Sequence, residues 1–237
     1  MIKIERTAVM NMENAIRGMR NPMNSWHKSD SYTTHIENPQ TLNIAPFQFF
    51  LGENDLKLAK QLFNGGSDDR KFMRQIFVSV DITAPLYWWK EYDTYKVATV
   101  ANSTSTMHKI HAKEFTLDDF SHDQLVFNKR SMYCLEAIVD ELNFWRDIYN
   151  NGGMVDNYDG TARIFEPKDK DAWYQMIQIL PSSYEQLRTC TLNYENLIGI
   201  YNARKNHKLY EWREVCKWIE TLPYFNAICL GGESNAE

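Results

Sequence analysis

The chain has 237 residues and a mass of 27.9 kDa, and 43% of its residues are hydrophobic and 14% aromatic. This composition supplies enough apolar side chains for one large domain and excludes a wholly disordered chain. The net charge of −5 gives no basic surface for a nucleic-acid backbone, although a mononucleotide needs only a small cationic pocket. No apolar run approaches the ~20 residues that cross a bilayer, and the N-terminus lacks the apolar segment of a signal peptide.

The four cysteines have no paired spacing, so we expect reduced thiols and a cytoplasmic location. They are Cys134, Cys190, Cys216 and Cys229.

The first fifty residues show little periodicity and are interpreted as an N-terminal elaboration. The pattern predicts a short strand over residues 2–4 and a helical turn or two over 14–20. Asparagine, proline and serine dominate residues 21–46, which are predicted to be loop.

Stronger patterns follow. Asn54 is predicted to cap a helix over residues 55–63, which Gly65 and Gly66 end. Alternating apolar residues predict a strand over 74–83. Ala84 and Pro85 stop that alternation, and a helix with two tryptophans is predicted over 86–92.

Polar residues 94–125 are predicted to be loop with short helical pieces. A long amphipathic helix is predicted over 124–149, followed by a flexible connection over 150–159 that contains two glycines. The apolar side of the long helix is predicted to comprise Leu135, Ile138, Leu142, Trp145 and Ile148.

Three helices are predicted in the remaining chain. They cover residues 169–179, a segment from Ser182 or Ser183 through Arg204, and 209–221. Together the patterns predict one domain over residues 1–237. Its fold class is α+β, mostly helical with a small antiparallel sheet.

Asn193 and Arg204 stand out within that penultimate helix because they are eleven residues apart, which returns to within ~20° of the same helix face. Leu197 and Ile200 lie on the stripe between them. Arginine presents a planar, permanently charged fork suited to carboxylate, phosphate or a carbonyl that gains negative charge. The alternative is a partly buried arginine paired with a neighbouring glutamate.

Residues 180–213 resemble the C-terminal block of the flavin-dependent thymidylate synthases. That family shows Leu-Pro, then Thr-x-Asn, then a helix ending in arginine, then His-Ala-Gln-Trp-Glu-Ile-Arg. The matching positions are Leu180-Pro181, Thr191-Leu192-Asn193, Arg204, and residues 207–213 with the sequence HKLYEWR. The resemblance spans about residues 55–225.

A second block of that family, R-H-R-x-x-S-x-N-E-x-S-x-R-Y, falls on residues 94–107 and is degraded here. Lys96 stands at the second arginine, and Thr99 and Thr104 stand at the two serines. The other signature positions carry Thr94, Tyr95, Ala101, Asn102, Thr106 and Met107. Outside this block, Glu195 stands at a usual arginine, Gly199 at a usual Asn or His, and Ile177 at a common phosphate-binding arginine.

The resemblance implies C5 methylation of dUMP to dTMP, with FAD, NADPH and methylenetetrahydrofolate, in a homotetramer with shared sites. Arg204 would bind the pyrimidine carbonyl. The resemblance places Lys96, Asn102, Thr104 and Thr106 at the nucleotide, and Asn193, Tyr95, Thr99 and Gly199 at the cofactor. Gly199 would leave room for a ligand ring or for a packed neighbour.

Three alternatives stay open: altered pyrimidine chemistry such as hydroxymethylation, a non-catalytic oligomeric descendant of the fold, and a helical interaction protein unrelated to the family. A metal site is not predicted, because His108 and His111 have no third ligand placed by spacing. A small nucleotide is the expected ligand, with no nucleic acid or membrane as partner.

Overall fold

The computed structural model describes residues 2–34 and 48–232. Its strands are β1 (Lys3–Met10), β2 (Tyr32–Thr34), β3 (Gln48–Phe50), β4 (Phe77–Pro85), β5 (Val100–Ser103), β6 (Gly153–Asp156), β7 (Ala162–Phe165) and β8 (Glu185–Asn193). Its α-helices are α1 (Met12–Gly18), α2 (Glu53–Asn64), α3 (Leu86–Tyr92), α4 (Thr106–Lys109), α5 (Lys129–Asn151), α6 (Lys170–Ile179), α7 (Tyr194–Arg204) and α8 (Tyr210–Glu220). The predicted α+β class, mostly helical with small antiparallel sheet structure, is confirmed.

Within residues 2–34 and 48–232, the strands form three sheets where the sequence predicted one. The largest has four strands in the order β1-β4-β8-β5. β2 pairs with β3, and β6 pairs with β7, each in an antiparallel two-stranded sheet. The predicted loop over residues 21–46 contains β2 in its described part, and residues 35–46 of it lie outside the described residues.

The chain divides into two compact units, which are made of interleaved segments. The first unit comprises Ile82–Thr94 and Asn102–Arg188, with the N-terminal residues up to Lys3. The second unit comprises Ile4–Asp81, Tyr95–Ala101 and the chain from Thr189 onwards. One domain over residues 1–237 stays a prediction.

The core of the first unit lies between α5 and α6. α5 buries Leu135, Leu142, Trp145 and Ile148, as predicted, against Met176 of α6. The helix begins five residues later than expected, because Leu125–Phe127 forms a 3₁₀ turn and Asn128 then caps α5 through the Ser131 N–H.

The predicted connection over 150–159 contains regular structure, because α5 continues to Asn151 and β6 covers Gly153–Asp156 of a hairpin. Gly152 has φ +76°, which lets the chain leave the helix, and β6 then pairs with β7 from Gly153↔Phe165 to Asp156↔Ala162. Gly152 and Gly153 therefore mark the end of α5 and the start of the hairpin.

The helix predicted from Ser182 or Ser183 to Arg204 was wrong in its first half, which is strand β8. Gln186, Cys190 and Leu192 are buried along β8 while Leu187 and Thr189 are exposed, and this two-residue period is that of a strand. The helix α7 begins only at Tyr194, and Leu197 and Ile200 are buried on it.

A buried carboxylate organises the first turn of α2 in the second unit. Asp55 has no exposed surface and accepts hydrogen bonds from Arg20 Nε at 2.5 Å and from the Ser29 and Ser31 hydroxyls at 2.6 and 2.7 Å. Asn54 does not cap this helix as predicted, because α2 already begins at Glu53 after Gly52. The predicted stop at Gly65 is confirmed.

Candidate functional site

Arg204 ends α7 and rests against two aromatic rings of the second unit. Its Nε donates a hydrogen bond to the Tyr95 hydroxyl at 2.8 Å. Its guanidinium carbon lies 4.7 Å from the ring centroid of Trp212 and 5.6 Å from that of Tyr95. Trp212 is buried, whereas Arg204 and Tyr95 are half-buried. The charged fork is therefore oriented by cation–π contacts at a position that solvent reaches.

Asn193 is the N-cap of α7 rather than a residue of its face. Its carboxamide oxygen accepts a hydrogen bond from the Asn196 N–H at 2.9 Å, and the Asn196 carboxamide oxygen accepts one from the Asn193 N–H at 3.1 Å. Asn193 and Arg204 consequently mark the two ends of one eleven-residue helix. The shared-face argument was wrong, because it assumed that the helix continued through residue 193.

The segment 95–101 lies beside α7 in the same unit. Asn196 Nδ2 donates to the Val97 carbonyl at 2.9 Å, and the Thr99 hydroxyl donates to the Tyr95 carbonyl at 2.5 Å. Lys96 is exposed, and Val97 is 82% exposed. Hydrogen bonds thus fix the backbone of this segment, while a cation and an apolar side chain remain accessible on it.

Gly199 lies in the middle of α7 on its exposed face. A β-carbon added there would have no heavy atom within 4 Å outside its own helix and its chain neighbours. Of the two predicted reasons for this glycine, room for a packed neighbour therefore finds no support among the described residues. The second reason, room for a ligand, is compatible with the open space.

The three other predicted nucleotide contacts belong to the first unit. Asn102 is exposed on β5. The Thr104 N–H donates to the Leu187 carbonyl at 2.9 Å, and the Thr106 hydroxyl accepts from Gln186 Nε2 at 3.2 Å. The structure therefore brings Tyr95, Lys96, Thr99, Asn193, Gly199 and Arg204 into one unit, and it brings Asn102, Thr104 and Thr106 together in the other.

Two residues of this site were not predicted. Trp212 is fully buried in the core, and its indole is also the surface on which the Arg204 guanidinium lies. Asn196 completes the cap of Asn193 and holds the 95–101 segment. The reciprocal pair was detectable, because an asparagine three residues after an asparagine N-cap is the arrangement of a capping box.

Glu195, which stands at a usual arginine of the family, has a structural partner. Arg70 Nε lies 3.0 and 2.9 Å from its two carboxylate oxygens, and the Arg70 guanidinium also packs over Phe63. This pair anchors the start of α7 within the second unit.

Two cysteines of the second unit, Cys216 and Cys229, are not activated as nucleophiles. Burial raises the pKa of Cys216 to about 11 and that of Cys229 to about 12, so both thiols are protonated near neutral pH. None of the four cysteines, all of which lie in the described residues, forms a disulfide. Residues 2–34 and 48–232 contain no cluster of three or more His, Cys, Asp or Glu that could hold a metal ion.

Within the described part of the chain, none of the helices combines the length and apolar character needed to span a bilayer.

Comparison with known proteins identifies the fold through solved structures. No protein-family model matches the chain, and no curated protein matches it. A crystal structure of flavin-dependent thymidylate synthase ThyX from Helicobacter pylori, complexed with FAD and dUMP, is 13% identical and superposes with a TM-score of 0.57 over 95% of this chain and 96% of that one. A second structure of that enzyme with FAD and dUMP, at 13% identity, gives a TM-score of 0.58 over 96% of each chain. The likeness extends beyond residues 55–225, where the sequence motifs lie. The chain therefore has the fold of flavin-dependent thymidylate synthase.

Proposed function

We propose that the protein is a divergent flavin-dependent enzyme that methylates C5 of a pyrimidine deoxynucleotide, converting dUMP to dTMP. The main observation behind this proposal is the half-buried Arg204, which contacts Tyr95 and Trp212, in a fold whose solved examples from Helicobacter pylori hold FAD and dUMP. The carbon donor would be methylenetetrahydrofolate, and the reductant would be NADPH.

Arg204 is assigned to the pyrimidine ring. Its guanidinium would donate hydrogen bonds to a ring carbonyl and stabilise the negative charge that develops there as the ring becomes electron-rich. Tyr95 restrains the Nε side of the fork at 2.8 Å, so the orientation is set before the substrate arrives.

The surface around α7 fits a flavin. Bound FAD would carry the one-carbon unit and supply reducing equivalents. Open space at Gly199 and the exposed Val97 side chain offer a place for a planar ring, and Asn193, Tyr95 and Thr99 are assigned as polar contacts. Since the Asn193 carboxamide oxygen is engaged in the helix cap, its NH₂ group would be the donor to the flavin.

Lys96, Asn102, Thr104 and Thr106 are assigned to the nucleotide. They replace a signature that carries arginines in the family, and a charge-assisted hydrogen bond to phosphate contributes about 1.5–3 kcal/mol. We expect weaker phosphate binding than an arginine-rich loop would give, with Lys96 as the cation. We also propose a cytoplasmic homotetramer that binds small molecules rather than nucleic acid or membrane.

A second candidate is a related reaction on another pyrimidine nucleotide, such as hydroxymethylation. Asn102 favours it, because this exposed amide stands where the family has a glutamate. An amide offers a donor that a carboxylate lacks, and this difference changes which pyrimidine edge is preferred.

The test begins with purified full-length protein. An absorbance band near ~450 nm, or a shift of that band when FAD is added, supports the proposal. Turnover with dUMP, and separately with dCMP, then identifies the base. We expect Arg204→Ala to abolish turnover while the melting temperature stays nearly unchanged, and we expect Arg204→Lys to retain part of the turnover. The control is Arg130→Ala, which changes an exposed arginine on α5 and should behave as wild type. Colourless protein that binds neither FAD nor either nucleotide would establish the non-catalytic descendant instead.

A further inference from the structure

Four basic side chains gather in the first unit, and none of them is among the residues assigned above. Lys109 ends α4, His111 follows it, Arg146 lies on α5, and Lys168 precedes α6. No carboxylate of the described residues forms an ion pair with any of these four. In a chain of net charge −5, a group of basic side chains without paired carboxylates requires an explanation.

Tyr149 holds two members of this cluster. The His111 ring meets the Tyr149 ring edge-on, with centroids 4.7 Å apart, and Lys168 Nζ lies 4.8 Å from the Tyr149 centroid. The Lys168 N–H also donates to the Tyr149 carbonyl at 2.7 Å. The His111 imidazole and the Lys168 ammonium group therefore have defined positions on one aromatic side chain.

Asn150 fixes the same two residues from the next position of α5. Its Nδ2 donates to the His111 carbonyl at 3.1 Å, and its Oδ1 accepts from Lys168 Nζ at 3.0 Å. Three separate segments are thus joined at one point, so the lysine amine is anchored rather than free in solvent.

Arg146 lies one helical turn before Asn150 and carries an unsatisfied donor. Its Nε is buried and has no hydrogen-bond partner among the described residues. Two carboxylates near Arg146 in sequence form hydrogen bonds with other residues. Glu141 accepts a hydrogen bond from Trp145 Nε1 at 2.7 Å, and Asp147 accepts one from Asn151 Nδ2 at 2.6 Å. A buried, unpaired guanidinium nitrogen is costly unless an acceptor is supplied.

We propose that Lys109, His111, Arg146 and Lys168 form a binding site for a phosphate group. A phosphate dianion offers several strong acceptors for the cations and for the unpaired Arg146 donor. This site is independent of the proposed function, because it involves neither Arg204 nor a flavin.

The electrostatics of His111 agree with this geometry. Its pKa is lowered, first by burial of the imidazole and then by the positive charges of Lys168, Lys109 and Arg146. A bound phosphate would offset those charges and raise the pKa of His111.

The experiment follows the His111 imidazole by NMR in full-length, histidine-labelled protein, with His111→Gln for assignment. Sodium pyrophosphate is the probe, and sodium chloride at matched ionic strength is the control for screening. We expect pyrophosphate to raise the His111 pKa, and we expect Lys168→Gln, Arg146→Gln and the exposed Lys109→Gln each to weaken binding about tenfold or more. Lys129→Gln, seventeen residues and about 25 Å before Arg146 along α5, should bind as wild type.

Two arms identify the source of the phosphate. If dUMP shifts His111 and deoxyuridine does not, a nucleotide phosphate is recognised; if only pyrophosphate does so, the ligand is a free phosphate. An equal response to sodium chloride, or unchanged affinity in the Lys168 and Lys109 variants, would overturn the proposal. Because the readout needs neither flavin nor turnover, failure of the proposed function would leave it intact.

Discussion

The Tyr95 hydroxyl accepts a hydrogen bond from Arg204 Nε at 2.8 Å, and both side chains contact Trp212. The ring centroids of Tyr95 and Trp212 are 5.8 Å apart at 66°, an edge-to-face arrangement. One face of the guanidinium is therefore occupied by the indole, and one edge is occupied by the phenol. This contact ties the 95–101 segment to the end of α7.

Tyr95→Phe should separate orientation from stability. The phenyl ring keeps the contact with Trp212, but the charged Arg204 loses its hydrogen bond to the Tyr95 hydroxyl. Hydrogen bonds that involve a charged group contribute about 1.5–3 kcal/mol when they are well buried. Because the pair is half-buried, we expect kcat/KM for the nucleotide to fall about tenfold while the melting temperature changes by about 2 °C or less. Steady-state kinetics and thermal unfolding measure the two quantities.

Tyr133→Phe provides the matched control, since Tyr133 is 64% exposed on α5. It should leave both quantities unchanged. A Tyr95→Phe enzyme with full activity would show that the phenol is a structural contact and has no part in positioning Arg204.

The helical elements were the most predictable part of the fold. Leu135, Leu142, Trp145 and Ile148 recur with the helical period, and α5 buries all four. β8 was missed for a physical reason. Its buried side includes the polar Gln186 beside Cys190 and Leu192, and its other side carries the apolar Leu187, so the apolar contrast between the two sides was weak. Where the residue types do not clearly favour helix or strand, pairing with neighbouring strands in the folded protein decides between the two.

The candidate site was predictable only in its composition. Tyr95 and Arg204 were both selected from the sequence, but their mutual hydrogen bond joins positions 109 residues apart, and no local pattern encodes such a contact. The same holds for Lys168 and His111, which meet through Tyr149 and Asn150. By contrast, the role of Asn193 as a helix N-cap is encoded locally, because asparagine is a preferred N-cap residue.

Gly199→Ala should stabilise the protein and weaken flavin binding. Glycine inside a helix costs about 1 kcal/mol relative to alanine, and the added methyl group meets no heavy atom within 4 Å outside its own helix and its chain neighbours. The melting temperature should therefore rise by about 2–4 °C. If a flavin ring occupies that space, the affinity for FAD measured by fluorescence quenching should fall.

The exposed Asn202 on the same helix supplies the comparison. Asn202→Ala also raises helix propensity, so it should stabilise the protein while FAD affinity stays at the wild-type value. Equal FAD affinity in the Gly199 and Asn202 variants would remove Gly199 from the cofactor site.

Asp55 should make stability depend on acidity. Burial opposes its ionisation, but hydrogen bonds from Ser29, Ser31 and Arg20 outweigh it, so the pKa of Asp55 lies below its ordinary value. A depressed folded-state pKa gives stabilisation that is present above the unfolded value of about 4 and is lost as the pH falls through the folded value. Removing one partner of a buried ion pair costs about 3–5 kcal/mol.

We therefore expect Asp55→Asn to lower the free energy of unfolding in urea by several kcal/mol at pH 7, and by less as the pH decreases from about 4. Asp68→Asn changes an exposed carboxylate in the same unit and should have little effect at either pH. A difference between wild type and Asp55→Asn that stays constant down to pH 2 would contradict the assigned pKa shift.

The order in which the cysteines react should follow their burial. Thiolates are the reactive species, and burial raises the pKa of Cys216 to about 11 and of Cys229 to about 12, whereas Cys134 is exposed on α5. Iodoacetamide at pH 8 should modify Cys134 first, with Cys216 and Cys229 following only as the protein unfolds. Peptide mass spectrometry over time gives the order, and guanidinium-unfolded protein gives the reference rates.

Turnover should survive modification of Cys134, because the proposed chemistry assigns no role to a thiolate. Rapid loss of activity in step with alkylation of Cys216 would instead reveal a catalytic cysteine.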